Sequence, residues 1–148
     1  MTIAVTYLHF IGIMVLMGSL ISEHLMLKPK MTADQIRTLA VTDLIYGLSA
    51  IIVLGTGLLR WFMFGKGSDF YMSNPIFHTK LTLFVILGIL SIFPTLKILK
   101  WRKQVNSGQE TDVNERSVKK ILMLVRIELL IVVIIPLLAV MIARGVAN

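Results

Sequence analysis

The chain has 148 residues, a formal net charge of +7 and no cysteine, and 56% of its residues are hydrophobic against 16% charged. With a mean hydropathy of +0.83, this composition lies outside the range of water-soluble domains, so a soluble fold is excluded. The lack of cysteine excludes disulfides, cysteine-ligated iron–sulfur clusters and covalently attached c-type haem.

Four apolar stretches of the chain are long enough to cross a bilayer, whose core of about 30 Å needs roughly 20 helical residues. Hydrocarbon cannot satisfy free backbone groups, so runs of this length must be helices, and the alternation of barrel strands is missing. The sequence therefore predicts an all-α polytopic membrane protein, a single four-helix transmembrane bundle. The predicted helices cover residues 3–25, 33–64, 75–99 and 118–144.

Basic residues are distributed unequally between the two sides of this bundle. Ten of the fifteen Lys and Arg residues belong to the first and third loops, and only Arg60, Lys66 and Arg144 fall on the opposite side. Because basic loops stay in the cytoplasm, both chain termini are expected on the outer side of the membrane. The membrane is expected to be a bacterial inner membrane. The positive charge then sets the orientation of the protein in the bilayer and contacts anionic lipid. Nucleic acid is not expected as a partner.

The first predicted helix carries a stripe of small and polar residues. His9, Gly12, Leu16, Ser19 and Glu23 follow steps of three and four, which places them on one helical face. That face is expected to point into the bundle. His9 lies about six residues inside the apolar run. A histidine at this depth either serves as a ligand or forms a structural hydrogen bond inside the bundle.

The second predicted helix starts with Thr32 and Gln35 at the spacing of a capping box, so it begins near Ala33. It also carries a stripe of small and polar residues, and small residues let a neighbouring backbone approach closely. This face is expected to pack inside the bundle. The stripe contains Asp43, Tyr46 or Gly47, Ala50, Leu54 and Gly57.

The connection from the second to the third helix combines glycines with aromatics suited to the membrane interface, and Pro75 suits the first turn of the third helix. In that helix His78 and Lys80 are two positions apart, hence about 200° apart around the axis. A single face cannot readily present both. One of the two is expected nearer the interface.

The segment Gln104 to Ser117 is polar and contains Gly108, which predicts a flexible surface loop before the fourth helix. Within the fourth helix, Arg126 can extend its long stem to the cytoplasmic surface, whereas the shorter Glu128 must be paired, protonated or in a polar cavity. A structural hydrogen bond to Tyr46 or His24 and a role in proton handling both remain open for Glu128.

An ionisable group inside the bilayer costs about 3 kcal/mol or more, so each one requires a partner or access to water. The predicted topology sorts these groups into two layers. The outer layer contains His9, Arg60, His78, Lys80 and Arg144. The inner polar layer contains Glu23, His24, Asp43, Tyr46, Arg126 and Glu128.

A resemblance to a known family covers nearly the whole chain. Its strongest part is the segment from Gly55 to Phe62, Gly-Thr-Gly-Leu-Leu-Arg-Trp-Phe. The chain resembles a family of small bacterial membrane proteins of unknown function, and the resemblance implies no activity. The other matching positions are Tyr7-Leu8-His9-Phe10, Gly65-Lys66-Gly67, Phe70-Tyr71, Asn74-Pro75, Phe77, Lys80 and Pro94-Thr95.

A second resemblance rests on Leu8-His9-Phe10-Ile11 and Phe77-His78-Thr79-Lys80-Leu81. These segments are similar to parts of four-helix membrane protoporphyrinogen oxidases and of copper-resistance D-type proteins. The resemblance implies a haem-ligating histidine at His9 or His78 and a basic residue near porphyrin carboxylates at Lys80. The chain lacks the additional Trp and His pattern of the oxidases, so oxidase activity is not implied with it.

The topology places the His9 and His78 imidazoles at similar depth, where facing helices can ligate one iron. Haem b between the first and third helices, with His9 and His78 as metal ligands, is therefore one hypothesis for a cofactor; the alternative is that the protein has none. Arg60, Lys66 and Lys80 lie at the level where cations pair with propionates.

Three functions are compatible with the sequence. The first is a haem- or porphyrin-binding membrane protein, and the second is a non-catalytic accessory or stress-linked protein that pairs with a partner subunit or a second copy. The third is a small proton-coupled transporter, in which Glu128 and Asp43 carry protons. Soluble-type catalysis has no support, because the hydrolase, Walker, Rossmann and zincin motifs are missing.

Overall fold

The computed structural model describes residues 2–63 and 68–146, and these residues form five helices without a strand. Four of the helices are long and apolar enough to cross a membrane, which confirms the predicted all-α, four-helix transmembrane bundle. The fifth is a short helix within the second connection. The helices are α1 (Thr2–Met26), α2 (Ala33–Phe62), α3 (Ser68–Ser73), α4 (Pro75–Asn106) and α5 (Glu115–Ala143).

The four long helices form a ring in which each contacts two neighbours. α1 packs on α2 and α5, and α4 packs on the same two helices, whereas α1 and α4 do not contact each other within the described residues. Short connections of residues 27–32 and 107–114 join the pairs α1–α2 and α4–α5. α1 and α4 therefore lie diagonally across the bundle, with its interior between them.

Two local predictions explain where helices begin. Thr32 and Gln35 form the predicted capping box, with the Thr32 amide donating to Gln35 Oε1 at 2.9 Å and the Gln35 amide donating to Thr32 Oγ1 at 3.2 Å. Pro75 occupies the first turn of α4, after the Asn74 cap. Its missing amide would lack a helical partner at this position anyway, so proline is tolerated there.

The third connection is shorter than the sequence suggested. α4 continues to Asn106 because Ile98 and Trp101, both 0% exposed, belong to the core of the bundle. The α5 helix begins at Glu115, where the Asn114 side chain caps the Ser117 amide at 2.9 Å. The predicted loop Gln104–Ser117 is thus reduced to residues 107–114, because packing and capping recruit both of its ends into helices.

The hydrophobic core is concentrated at one end of the bundle. We call this end, which carries the connections 27–32 and 107–114, the basic end, and the opposite end the terminal end. Nearly all of the fully buried large side chains lie in the half nearer the basic end, where the four helices pack closely. These side chains include Leu20, Ile36, Leu39, Ile98, Trp101, Ile121 and Val125.

Aromatic rings gather at the terminal end. The Phe77 ring lies 5.0 Å from Trp61 and 5.2 Å from Tyr71 between ring centroids. The Asn74 side chain accepts from the Ile76 amide at 2.9 Å and donates to the Val146 carbonyl at 3.4 Å. These contacts hold α3 and the start of α4 against the ends of α2 and α5.

Candidate functional site

Three carboxylic acids meet inside the half of the bundle nearer the basic end. Glu23 of α1 and Glu128 of α5 are each 1% exposed, and Asp43 of α2 is 5% exposed. The Glu23 and Asp43 carboxyl groups face each other within hydrogen-bonding reach, and Glu128 is close enough to interact electrostatically with both. We call Glu23, Asp43 and Glu128 the acid cluster.

Hydroxyl groups from α2 and α4 surround the acid cluster. Thr95 Oγ1 donates to Asp43 Oδ1 at 3.2 Å. The buried Tyr46 phenol interacts electrostatically with all three acids and faces Ser91. The acid cluster and the hydroxyl groups around it therefore combine side chains from all four long helices.

Two oxygens of the acid cluster are buried without a hydrogen-bond partner, namely Glu23 Oε1 and Glu128 Oε1. No basic side chain in residues 2–63 and 68–146 forms an ion pair with the cluster. Arg126 is turned away to the bundle surface, where its Nε donates to His24 Nε2 at 3.2 Å. The structural bond between Glu128 and His24 that the sequence left open is therefore not formed.

A cavity of about 120 Å³ lies in the other half of the bundle. We call it the terminal-end cavity. Its wall is apolar except for His9 and Lys80, and it includes the Trp61 indole, whose Nε1 is buried without a hydrogen-bond partner. The lining residues are His9, Ile13 and Leu16 of α1, Val53, Leu54, Gly57, Leu58 and Trp61 of α2, Phe77, Lys80, Leu81, Phe84 and Leu87 of α4, and Val132, Ile135, Pro136 and Ala139 of α5.

The His9 ring is held by Thr56, with Nδ1 2.8 Å from Thr56 Oγ1. The single hydroxyl proton of Thr56 is donated to the Ile52 carbonyl at 2.6 Å. Thr56 therefore accepts from His9, which assigns the ring proton to Nδ1 from the hydrogen-bond pattern. In the neutral ring, Nε2 then carries a free lone pair.

The outer basic residues are placed differently from one another. Lys80 is half-buried in the cavity wall with its Nζ 5.8 Å from the Phe77 ring centre, and Arg60 is close enough to interact electrostatically with Lys80 and His9. Arg144 is exposed and caps the end of α5. Lys66 lies outside the described residues.

His78 does not line the terminal-end cavity. Its ring is exposed, and Nε2 lies 2.8 Å from the Met72 carbonyl oxygen at the end of α3. His78 and Lys80 are about 200° apart around the axis of α4. Lys80 therefore lines the cavity with His9, whereas His78 is exposed outside it.

The structure does not bring His9 and His78 to one cavity. The His78 ring is turned to a local carbonyl, and a cavity of about 120 Å³ is nearer to the engineered cavity that holds benzene than to cofactor pockets of roughly 300 Å³ or more. Of the expected haem residues that the structure describes, only His9 and Lys80 line the cavity.

Sequence reasoning missed three residues of these sites. Thr56 orients His9 and Thr95 bonds Asp43, but each lies on a different helix from its partner, 47 and 52 positions away. All three were noted only as part of a family resemblance, Thr56 and Trp61 within the segment from Gly55 to Phe62 and Thr95 in Pro94-Thr95. The signal in the sequence that could have identified Thr56 and Thr95 was a threonine within an apolar helix. Its hydroxyl bonds the backbone of its own helix and can still accept a second hydrogen bond.

The family model described as "Predicted membrane protein (DUF2214)" matches residues 1–147. No curated protein and no solved structure matches the chain. The match covers nearly all of the sequence, so the chain belongs to this family, as its resemblance to a membrane family of unknown function indicated. The resemblance to the oxidases and copper-resistance proteins stays a prediction.

Proposed function

We propose that this member of the DUF2214 family is a small proton-transfer protein of the bacterial inner membrane, which binds protons at the acid cluster. The observation that carries the proposal is the close approach of the Glu23 and Asp43 carboxyl groups in the bundle interior, with Glu128 beside them. The coarser conclusion, that the protein has four helices able to cross a membrane, does not depend on it.

The physical argument starts from the cost of charge. Each ionised carboxylate near the bilayer centre costs about 3 kcal/mol, and facing carboxylates repel each other as well. Two carboxyl groups within hydrogen-bonding reach avoid their mutual repulsion when they share one proton, as the paired acids of aspartic proteases do, and a second bound proton removes the remaining charge. In the absence of a basic partner among the described residues, bound protons supply the neutralising charge.

Polar groups on either side of the cluster support exchange of these protons. Toward the basic end, His24 and Arg126 form a polar pair at the bundle surface. Toward the terminal end, the buried hydroxyls of Ser19 on α1 and Ser49 on α2 lie between the acid cluster and the His9–Thr56 pair. Protons would enter from the basic end and pass along this column with the help of internal water.

Proton flux in liposomes tests the proposal. Purified protein is reconstituted with a pH-sensitive dye inside, and a potassium diffusion potential drives proton uptake. We expect uptake above that of empty liposomes, reduced at least about tenfold by Asp43→Asn, which removes one member of the facing pair. Glu110→Gln is the matched control because Glu110 is exposed in the connection 107–114. Uptake no faster than in empty liposomes contradicts the proposal.

Haem or porphyrin binding has one observation in its favour, the presence of His9 and Lys80 in one cavity. The position of His78 and the cavity volume count against it. The accessory role remains a prediction, and no contact within the chain favours it over proton transfer.

A further inference from the structure

The terminal-end cavity is a second candidate site, separate from the acid cluster. Every lining side chain except His9, Lys80 and the Trp61 indole is apolar. Its volume of about 120 Å³ suits a group the size of one aromatic ring or a few methylenes. A ligand of this cavity therefore has an apolar body and very few polar atoms.

Lys80, the cation in the cavity wall, has no counter-charge among the described residues. Lys80 forms no ion pair with a carboxylate of residues 2–63 and 68–146, and its contact with the Phe77 ring at 5.8 Å supplies only a weak attraction. Arg60, the charged neighbour on α2, repels it. A half-buried, unpaired ammonium beside apolar walls favours an anionic ligand.

The second polar group in the cavity wall has complementary hydrogen-bonding capacity. Thr56 fixes the ring proton of His9 on Nδ1, so Nε2 accepts a hydrogen bond, whereas the Lys80 ammonium only donates. A carboxylic acid meets both requirements, because its hydroxyl donates to Nε2 and its carbonyl oxygen accepts from Nζ. If the acid proton moves to His9, the carboxylate is left between two cations. A ketone or an ether serves only Lys80.

We propose that the terminal-end cavity binds an apolar carboxylic acid, with the carboxyl group between His9 and Lys80 and the adjoining ring or chain against Trp61 and Phe84. The acid has two sources, a fatty acid from the bilayer or an aromatic acid from the aqueous phase. The remainder of a long molecule extends beyond the cavity.

Trp61 provides the signal that tests this site. The chain has two tryptophans, of which Trp61 lines the cavity and Trp101 is 0% exposed near the basic end. The protein in mild detergent is titrated with a fatty acid brominated near its carboxyl group, and bromine quenches a nearby indole. We expect saturable quenching that is lost in Trp61→Phe, and much weaker quenching by the brominated alcohol of the same length.

Substitutions in the cavity wall locate the site. Lys80→Gln should weaken binding at least about tenfold, since a charge-assisted hydrogen bond is lost, and Lys80→Arg should retain most of it. Ala139→Leu fills the cavity and should abolish binding while the helix content by circular dichroism stays unchanged. The matched control is Lys119→Gln, because Lys119 is exposed at the start of α5.

Competition separates the two sources. If benzoate reverses the quenching, the cavity takes aromatic acids from water, and if only laurate does, it takes fatty acids from the bilayer. Equal quenching by the acid and the alcohol overturns the proposal, because any apolar chain would then suffice. Unchanged affinity in folded Lys80→Gln or Ala139→Leu overturns it too. The outcome is independent of proton flux through the acid cluster.

Discussion

His9 Nδ1 and Thr56 Oγ1 lie 2.8 Å apart although their residues are 47 positions apart in the chain, and this bond ties α1 to α2 beside the terminal-end cavity. Thr56→Val keeps the side-chain shape and removes the hydroxyl oxygen that accepts from the His9 Nδ1–H. We expect a loss of about 1 to 3 kcal/mol in unfolding free energy, measured by denaturing titration in detergent, and a mixed tautomer of His9 by nitrogen NMR.

Thr82→Val is the control for this substitution, because Thr82 is exposed and its hydroxyl bonds only the His78 carbonyl of its own helix. Its unfolding free energy should stay within about 0.5 kcal/mol of the parent. Equal effects of the two substitutions would mean that the bond to His9 contributes nothing.

Gly12 marks a close approach of α1 to α2. A Cβ atom at this position would lie 2.9 Å from Val53 Cγ2 and 3.3 Å from Ile52 Cγ2, and both neighbours are β-branched with restricted rotamers. Gly12→Ala should therefore unfold more easily than Gly47→Ala by about 1 to 3 kcal/mol. Both substitutions replace a helical glycine by alanine, so both gain the same helix propensity. Only Gly12→Ala meets a clash, because nothing lies within 4 Å of a Cβ atom at Gly47. Indistinguishable melting of the pair contradicts the close approach.

Glu128 offers a test of the acid cluster by charge reversal. A lysine at this position would lie beside Glu23 and Asp43 and pair with them, whereas Leu87→Lys buries a cation at a 2% exposed position in an apolar region. We expect Glu128→Lys to be the more stable variant by at least about 2 kcal/mol. If the two variants are equally destabilised in a detergent titration, the three acids do not share one site.

Asp112 anchors the connection 107–114, with Oδ2 3.0 Å from Lys100 Nζ and 3.4 Å from Lys97 Nζ. The Lys100 hydrogen bond, followed by the charges of both lysines, lowers the pKa of the Asp112 carboxyl below its usual value of 3.8. A lowered folded-state pKa means that this stabilisation is present above about pH 4 and is lost as the pH falls through the folded value.

Asp112→Asn should therefore cost at most about 1 kcal/mol at neutral pH, since the ion pairs are partly exposed. The difference from the parent should vanish at pH values below the folded pKa. Carboxyl carbon NMR of Asp112 measures that pKa directly, with exposed Glu110 as an internal reference. A midpoint for Asp112 at or above 3.8 contradicts the two lysine contacts.

Haem binding is tested by the visible spectrum. Because His78 is turned to the Met72 carbonyl, we expect protein from haem-sufficient cells to lack the sharp reduced α and β bands of a bis-histidine haem, and hemin titration to give no saturable shift. Such bands, lost in both His9→Ala and His78→Ala, would contradict the position of His78 and restore the haem interpretation.

The sequence predicted those features that depend on local periodicity. Gly12, Leu16, Ser19 and Glu23 are all buried on α1, as their three- and four-residue spacing indicated. The capping box at Thr32 also formed as predicted, because its bonds join residues three positions apart. Both features follow from single-helix geometry.

Contacts between helices were less accessible to sequence reasoning. On α2 the stripe was predicted through Leu54, which is 42% exposed, whereas Ser49 and Thr56 are buried. Small errors in the predicted helix rotation accumulate along the 30 residues of α2. Packing against α1 and α4 determines which face of α2 is buried. The angular separation of His78 from Lys80 was predictable from helix geometry, but the bond of His78 to the Met72 carbonyl was not.

The protonation of the facing Glu23 and Asp43 carboxyl groups is the central claim, and infrared spectroscopy of the purified protein measures it most directly. At neutral pH we predict a C=O band of a protonated carboxylic acid that disappears in Glu23→Gln, shifts in Glu128→Gln and is unchanged in the exposed control Glu110→Gln. A parent spectrum without a protonated-carboxyl band, or one that superimposes on those of Glu23→Gln and Asp43→Asn, would contradict it.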